Sequence, residues 1–330
     1  MKNINDRNNP DSFVLAEIGL NHNKDVQLAC RMIDDAVKSG ADGVKFQTYI
    51  TEHLMTADNP AYKIFKDLEL SADDYRTIVQ HCQNIGTNFV STPFCYETAD
   101  LLAELGANAI KIASSDLTYL DLIAHAAAFG KPMILSTGMS DFREIDNAVE
   151  TCLRANNANI TILHCISKYP PNDEDLCMNV ISVLRNRYPD YRIGFSDHTP
   201  NPTAAVYARA LGATFFEKHF TSDKSLPGPD QAISTNPEEM RQYTESIHSA
   251  DKMSRILSAA ERADLCIAPY ARRSLFAVND IHAGKIILPN DITALRPGDG
   301  IPANELETII GKTAARNIKA GAKLTKDDIR

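Results

Sequence analysis

Residues 192–220, RIGFSDHTPNPTAAVYARALGATFFEKHF, decide the fold. Two short apolar runs end in ionisable residues, Gly194-Phe195-Ser196-Asp197-His198-Thr199 and Phe215-Phe216-Glu217-Lys218-His219-Phe220, and the Ala-rich stretch 203–211 between them reads as a helix. The pattern is a βαβ unit with polar groups at both strand ends. Side chains alternate across a strand, so Ser196 and His198 share one face, as do Glu217 and His219. Two imidazoles from adjacent strands then converge on one point. Satisfied core histidines are the plain alternative, but Ser, Asp and Glu cluster at the same strand ends, which favours a divalent-metal centre on His198 and His219.

Upstream, six more runs have the same form: 13–18 (FVLAEI), 43–47 (GVKFQ), 88–91 (NFVS), 109–113 (AIKIA), 133–137 (MILST) and 159–164 (NITILH). Helical stretches separate them, among them 26–39 and the segment that Ser71 caps, with Asp73 and Asp74 in its first turn. Eight strands alternating with helices over 13–257 predict an α/β fold of the (β/α)8 TIM-barrel type, whose usual length is ~250 residues. That fold carries its site at the C-terminal strand ends, where Glu17, Lys45, Gln47, Thr92, Lys111, Ser114, Ser136, His164, Ser196, His198, Glu217 and His219 all fall. On the fourth strand Ile110 and Ile112 face one way, while Lys111 faces the other between Ala109 and Ala113. A lysine in a barrel interior is costly unless an anion or a carboxylate meets it. A salt bridge would suffice, but Ser114 and Ser115 follow with hydroxyl donors and favour a phosphate.

The 330 residues are 44% hydrophobic, enough to bury a full core and divide into one large and one small domain. The polar N-terminus (MKNINDRNNPDS) lacks an apolar signal core, and no run is long enough to span a bilayer, so a cytoplasmic protein is expected. Seven cysteines without a CxxC pair fit a reducing compartment and structural packing. A net charge of −9 argues against nucleic acid as a partner, although 271–330 has ten Lys+Arg against seven Asp+Glu, which makes it +3 and the remainder −12. The expected domains are a barrel over 1–257, a linker over 258–270 and a small module over 271–330. Within the module, 280–287 (DIHAGKII) and 317–324 (NIKAGAKL) resemble each other; each has an Ala-Gly turn and is followed by Asp-Ile at 291–292 or 328–329.

Several ordered blocks carry a resemblance: Ala16-Glu17-Ile18-Gly19 with Asn21-His22, Val44-Lys45-Phe46-Gln47, Ser91-Thr92-Pro93-Phe94, Ile110-Lys111-Ile112, Leu135-Ser136-Thr137-Gly138-Met139, His164-Cys165 with Tyr169-Pro170, Ser196-Asp197-His198-Thr199, Glu217-Lys218-His219-Phe220 and Gly228-Pro229-Asp230. Together they resemble the sialic acid synthase family, which condenses phosphoenolpyruvate with an N-acylated hexosamine to make nine-carbon 2-keto sugar acids. The C-terminal module, with Arg296-Pro297-Gly298 and Ile310-Gly311-Lys312, resembles that family's antifreeze-like (SAF, β-clip) domain.

The resemblance implies the following roles by position. His198 and His219 are metal ligands, for Mn2+ first, with Mg2+ or Co2+ as alternatives. Lys45, Thr92, Lys111, Ser114, Ser167 and Ser196 bind phosphoenolpyruvate, and Gln47, Asp116 and Tyr169 contact the sugar, with Ser136 completing the substrate-binding set. Glu17, Glu217 and Asp230 are the carboxylates for proton handling. Two positions depart from the family: Ser167 stands where Asn is frequent, and Lys24, where many members have Gly, is expected to narrow the site mouth. A domain-swapped homodimer is implied, with Arg296 reaching the N-acyl group in trans. The acceptor stays open between N-acetylmannosamine and a diacetamido-trideoxy sugar leading to legionaminic or pseudaminic acid. The alternatives are another phosphoenolpyruvate-dependent aldol-type synthase acting on a sugar phosphate, and a non-catalytic sugar-binding module.

Overall fold

Runs of β-branched and aromatic residues pair as eight parallel strands, each linked to the next by a helical crossover. The strands are β1 (Phe13–Gly19), β2 (Gly43–Thr48), β3 (Asn88–Pro93), β4 (Ala109–Ile112), β5 (Met133–Ser136), β6 (Ile160–Cys165), β7 (Arg192–Asp197) and β8 (Phe215–His219). They neighbour one another in chain order, and β8 pairs back onto β1, closing the expected TIM barrel. The computed structural model describes Lys2, Ile4 and residues 11–254, 256, 258, 261 and 267–330. No helix among the described residues is long and apolar enough to cross a membrane.

The two faces of the strands do different work. Outward residues such as Val14, Ala16, Ile18, Val44, Phe46, Ile110 and Ile112 merge with the helices into one large core. The helix Val26–Lys38 shows how: Ala29, Met32, Ile33 and Ala36 form its buried stripe, and Asp25 caps it by accepting from the backbone of Gln27 and Leu28. Ser71 caps the helix Ala72–Ile85, as its sequence predicts, and Asp74 reaches back to the Ser71 backbone to complete a reciprocal capping box. Inward residues near the strand starts, Phe13, Leu15, Val90, Ala109, Ile134, Leu163 and Phe215, plug the barrel with Ile4. Gly194 belongs to this layer because a Cβ there would lie 2.3 Å from the Phe215 carbonyl oxygen and 2.5 Å from Leu163 Cδ2. The close approach of the β8 backbone and of Leu163 therefore requires a glycine on β7.

The chain divides into two compact units, 1–254 and 255–330. The last barrel helix, Pro237–Met253, ends at its C-cap Ser254; positions 255 and 257 lie outside the described residues, as does most of the expected linker 258–270. Ala268–Ala271, at the end of that stretch, forms one helical turn. In the second unit β9 (Ser274–Ala277) pairs antiparallel with β10 (Ile292–Leu295) over a core that includes Leu275, Ile281, Ile287, Ile318 and Leu324. Its internal repeat is real: Ile281 and Ile318 exchange backbone hydrogen bonds of 2.8 Å in both directions. Both Ala-Gly turns put their glycine in the left-handed region, Gly284 at φ 86° and Gly321 at φ 77°. Asp291 and Asp328 close equivalent turns by accepting from the backbone N–H groups of Leu288 and Thr325.

Candidate active site

One step along each strand from the apolar plug, the inward side chains become polar. Leu15 is followed on its face by Glu17, Val90 by Thr92, Ala109 by Lys111, Ile134 by Ser136, Leu163 by Cys165, Gly194 by Ser196 and Phe215 by Glu217. These residues floor a cavity of about 660 Å³ at the C-terminal mouth of the barrel.

Its charges are paired. Lys45 Nζ lies 2.9 Å from Glu17 Oε1 and 3.6 Å from Glu217 Oε1, and Lys111 Nζ lies 3.7 Å from Glu217 Oε2. Ser196 Oγ donates to Glu217 Oε1 at 3.1 Å, and Gln47 Nε2 donates to Glu17 Oε1 at 3.2 Å. The two carboxyls are pushed apart in proton affinity. Burial, set against the charge of Lys45, leaves Glu17 above its ordinary value, with the nearby Glu217 adding to the rise. Burial opposes the Glu217 carboxylate too, but the charges of Lys111 and Lys45 outweigh it and hold Glu217 well below the ordinary range. Burial likewise raises Asp230 and lowers Lys111.

Beside this floor the imidazoles of His198 and His219 lie with centroids 5.4 Å apart, under the ring of Tyr169, whose centroid is 4.1 Å from that of His198. His198 Nδ1 is 2.8 Å from the Ile166 carbonyl oxygen, an acceptor, so Nδ1 carries the proton and Nε2 keeps its lone pair. His219 Nδ1 is buried without a protein partner. Burial lowers both histidines below their ordinary values, which keeps the rings neutral as metal ligation requires. Buried atoms without a hydrogen-bond partner also include Thr92 Oγ1, Ser136 Oγ, Glu17 Oε2 and Glu217 Oε2. Gly138 completes the wall: a Cβ there would lie 2.6 Å from Ser167 Oγ and 3.0 Å from both Cys165 Sγ and Ser114 Oγ. The glycine thus keeps open a small cradle lined by two hydroxyls and a thiol. Such a donor set suits an anion on the floor and a cation at the imidazoles.

Of the barrel residues singled out in the sequence, all except Lys24, Asp116 and His164 line this cavity. Asp116 accepts from Ser115 Oγ at 2.5 Å and is not part of the lining. His164 has the wrong parity: its ring turns outward, stacks on Phe195 and meets the Leu176 carbonyl oxygen at 2.7 Å, while its neighbour Cys165 points inward. Lys24 is exposed, adopts φ 59° and is not among the residues that line the cavity. Arg296 is exposed in the second unit. Sequence reasoning missed Cys165 and Phe94, although strand parity with Leu163 and Thr92 signals both. It also missed Leu20, Phe65, Met139 and Ile233, which arrive from loops and short helices without a periodic signal.

A closed (β/α)8 barrel whose C-terminal mouth carries paired acids, lysines and imidazoles, followed by a small repeat-built unit, defines a TIM-barrel protein with an appended SAF domain. The NeuB family pattern matches residues 32–256 and the SAF domain pattern matches 272–330. The chain belongs to the NeuB family. An uncharacterized protein of Methanocaldococcus jannaschii is 40% identical over 91% of this chain and 89% of its own length. The N,N'-diacetyllegionaminic acid synthase of Legionella pneumophila is 34% identical over 96% of this chain and 94% of its own. Among solved structures, the putative spore coat polysaccharide biosynthesis protein E of Chromobacterium violaceum superposes with a TM-score of 0.78 at 28% identity, covering 97% of this chain and all of that one. The homologues thus include nonulosonic acid synthases.

Proposed function

We propose that this protein is a nonulosonic acid synthase that condenses phosphoenolpyruvate with an N-acyl hexosamine and releases phosphate by C–O cleavage. One observation carries the reading: a single barrel mouth joins two buried lysines to unpartnered Thr92 and Ser136 hydroxyls, with two neutral imidazoles beside them. Carbon 3 of phosphoenolpyruvate bonds to the aldehyde carbon of the open-chain sugar, whose oxygen takes up a proton. Water adds to carbon 2 and gives up a proton, and the carbon–oxygen bond to phosphate breaks, leaving the keto acid and inorganic phosphate. Lys45 and Lys111 offset the charge of the phosphate and carboxylate, and the hydroxyls orient them. Glu217, held ionised, fixes the lysines, while Glu17 holds and returns a proton at Oε2. His198 and His219 would hold a divalent ion, Mn2+ or else Mg2+ or Co2+, which when bound supplies Lewis-acid polarisation of the sugar carbonyl.

Among the described lining residues there is no arginine, which favours an acceptor without a phosphate of its own. The apolar wall of Leu20, Phe65, Phe94, Met139 and Ile233, with the kinship to a diacetyllegionaminic acid synthase, favours a diacetamido-trideoxy hexose over N-acetylmannosamine. A methyl group packs on such a wall where a hydroxymethyl would lose its hydrogen bonds. Phosphate release from phosphoenolpyruvate is measured with both acceptors and with arabinose and erythrose phosphates. The reading predicts turnover with the N-acyl sugars and none with the sugar phosphates; the reverse order would replace it with a sugar-phosphate synthase.

A further inference from the structure

The reverse faces of β7 and β8 carry a buried ion pair that the chemistry above leaves unused. Asp197 and Lys218 are register partners, and they face away from the cavity because Ser196, His198, Glu217 and His219 occupy the alternate positions. Lys218 is 2% exposed and Asp197 1%. The ammonium lies 3.4 Å from Asp197 Oδ1, donates to the Thr199 carbonyl oxygen, and sits 5.6 Å from the ring centroid of Tyr243 on the helix Pro237–Met253. Asp197 Oδ1 also accepts from the Thr199 backbone N–H at 2.7 Å. One ammonium therefore grips both chain neighbours of His198, and it is carried by the residue beside His219.

Stability alone is a poor reason to keep such a pair, since apolar replacement of both partners is commonly neutral or stabilising. We infer that Lys218 and Asp197 are positioning residues that fix the His198 turn against β8, and so set the spacing at which the two imidazoles take up one divalent ion. His198 is then held at two points, its ring by the Ile166 carbonyl and its backbone by the ion pair. The inference rests on the reading of His198 and His219 as metal ligands.

The test measures Mn2+ affinity by calorimetry and the visible absorption of the Co2+ complex on the full-length protein. The wild type is compared with Lys218→Met/Asp197→Asn, with Asp197→Asn alone and with His198→Ala. The double variant is expected to melt near the wild-type temperature, bind Mn2+ about 10- to 100-fold more weakly, as loss of an outer-shell partner does, and shift the Co2+ band. Asp197→Asn alone moves both readouts in the same direction by less. A folded double variant with wild-type affinity and band shows that the pair only packs, and overturns the inference. Should the double variant fail to fold, unchanged readouts in Asp197→Asn overturn it equally. Wild-type protein that binds neither ion overturns the metal reading and the inference with it. Binding that His198→Ala abolishes keeps the metal reading, whatever the Lys218 variant does.

Discussion

Lys111 stands on β4 between two isoleucines that turn into the outer core, so its ammonium is delivered to the barrel floor. There it makes a loose contact with Glu217 and donates to the Ile112 carbonyl oxygen at 3.3 Å. Both alternatives open in the sequence, a salt bridge and an anion site, thus meet in one side chain, and the long carboxylate distance leaves the ammonium free to serve an anion. A charge-assisted contact to phosphate is worth roughly 1.5 to 3 kcal/mol, so Lys111→Met should raise the KM for phosphoenolpyruvate about 10- to 150-fold and leave that for the sugar nearly unchanged. Titrating each substrate separately distinguishes this from a structural lysine, whose loss would lower Tm and spare both constants. At the same scale, strand parity made Glu17, Lys111, Ser196 and Glu217 legible in the sequence, because burial on one face forces alternation. His164 was misplaced by ignoring that parity. Asp116 lies in a short helical turn beyond β4, where no alternation constrains direction.

Elements show why some of the site could not be read. The wall formed by Phe65 and Met139 belongs to segments between a strand and its helix, whose course depends on tertiary packing rather than on local pattern. Strand and helix order, by contrast, followed from periodicity and caps alone. Gly138, just after β5, makes a testable link between element and chemistry. In Gly138→Ala the new methyl displaces the Ser167 and Ser114 hydroxyls, which rotate at little cost to the fold. The expected result is a KM for phosphoenolpyruvate raised about 2- to 10-fold, the worth of one lost hydrogen bond, at nearly constant Tm. Away from the site, Asp251 ties the helix Pro237–Met253 to the start of β1 through Ser12 N (3.0 Å) and Ser12 Oγ (2.7 Å), and to the helix Thr203–Ala210 through Arg209. Burial would raise its carboxyl, but the hydrogen bonds from Arg209 and Ser12 outweigh this and hold it below the ordinary value. A depressed folded pKa adds stability above the unfolded value of about 4, which is lost as pH falls through the folded one. Asp251→Asn should therefore cost about 1 to 3 kcal/mol in denaturant unfolding at pH 7, and the gap to wild type should narrow as pH falls through the depressed folded pKa.

At the scale of the whole molecule, the family resemblance leads us to propose that Arg296 serves the barrel of the partner in a dimer. Mixing an inactive Glu17→Gln chain with an inactive Arg296→Ala chain should then restore one working site per mixed dimer; verified mixed dimers without activity would show that no such exchange occurs. The repeat in the second unit was visible in the sequence because two Ala-Gly turns recur with an Asp-Ile pair after each, whereas local pattern does not encode which barrel, if any, Arg296 serves. The account stands or falls on which bond to phosphate breaks. Turnover of phosphoenolpyruvate with an N-acyl hexosamine in 18O-enriched water, followed by 31P NMR, reads this directly. Carbon–oxygen cleavage predicts acceptor-dependent release of phosphate that contains no solvent oxygen. Phosphate carrying one 18O would mean phosphorus–oxygen cleavage, and release equally fast without the sugar would mean plain hydrolysis; either would contradict a condensing enzyme.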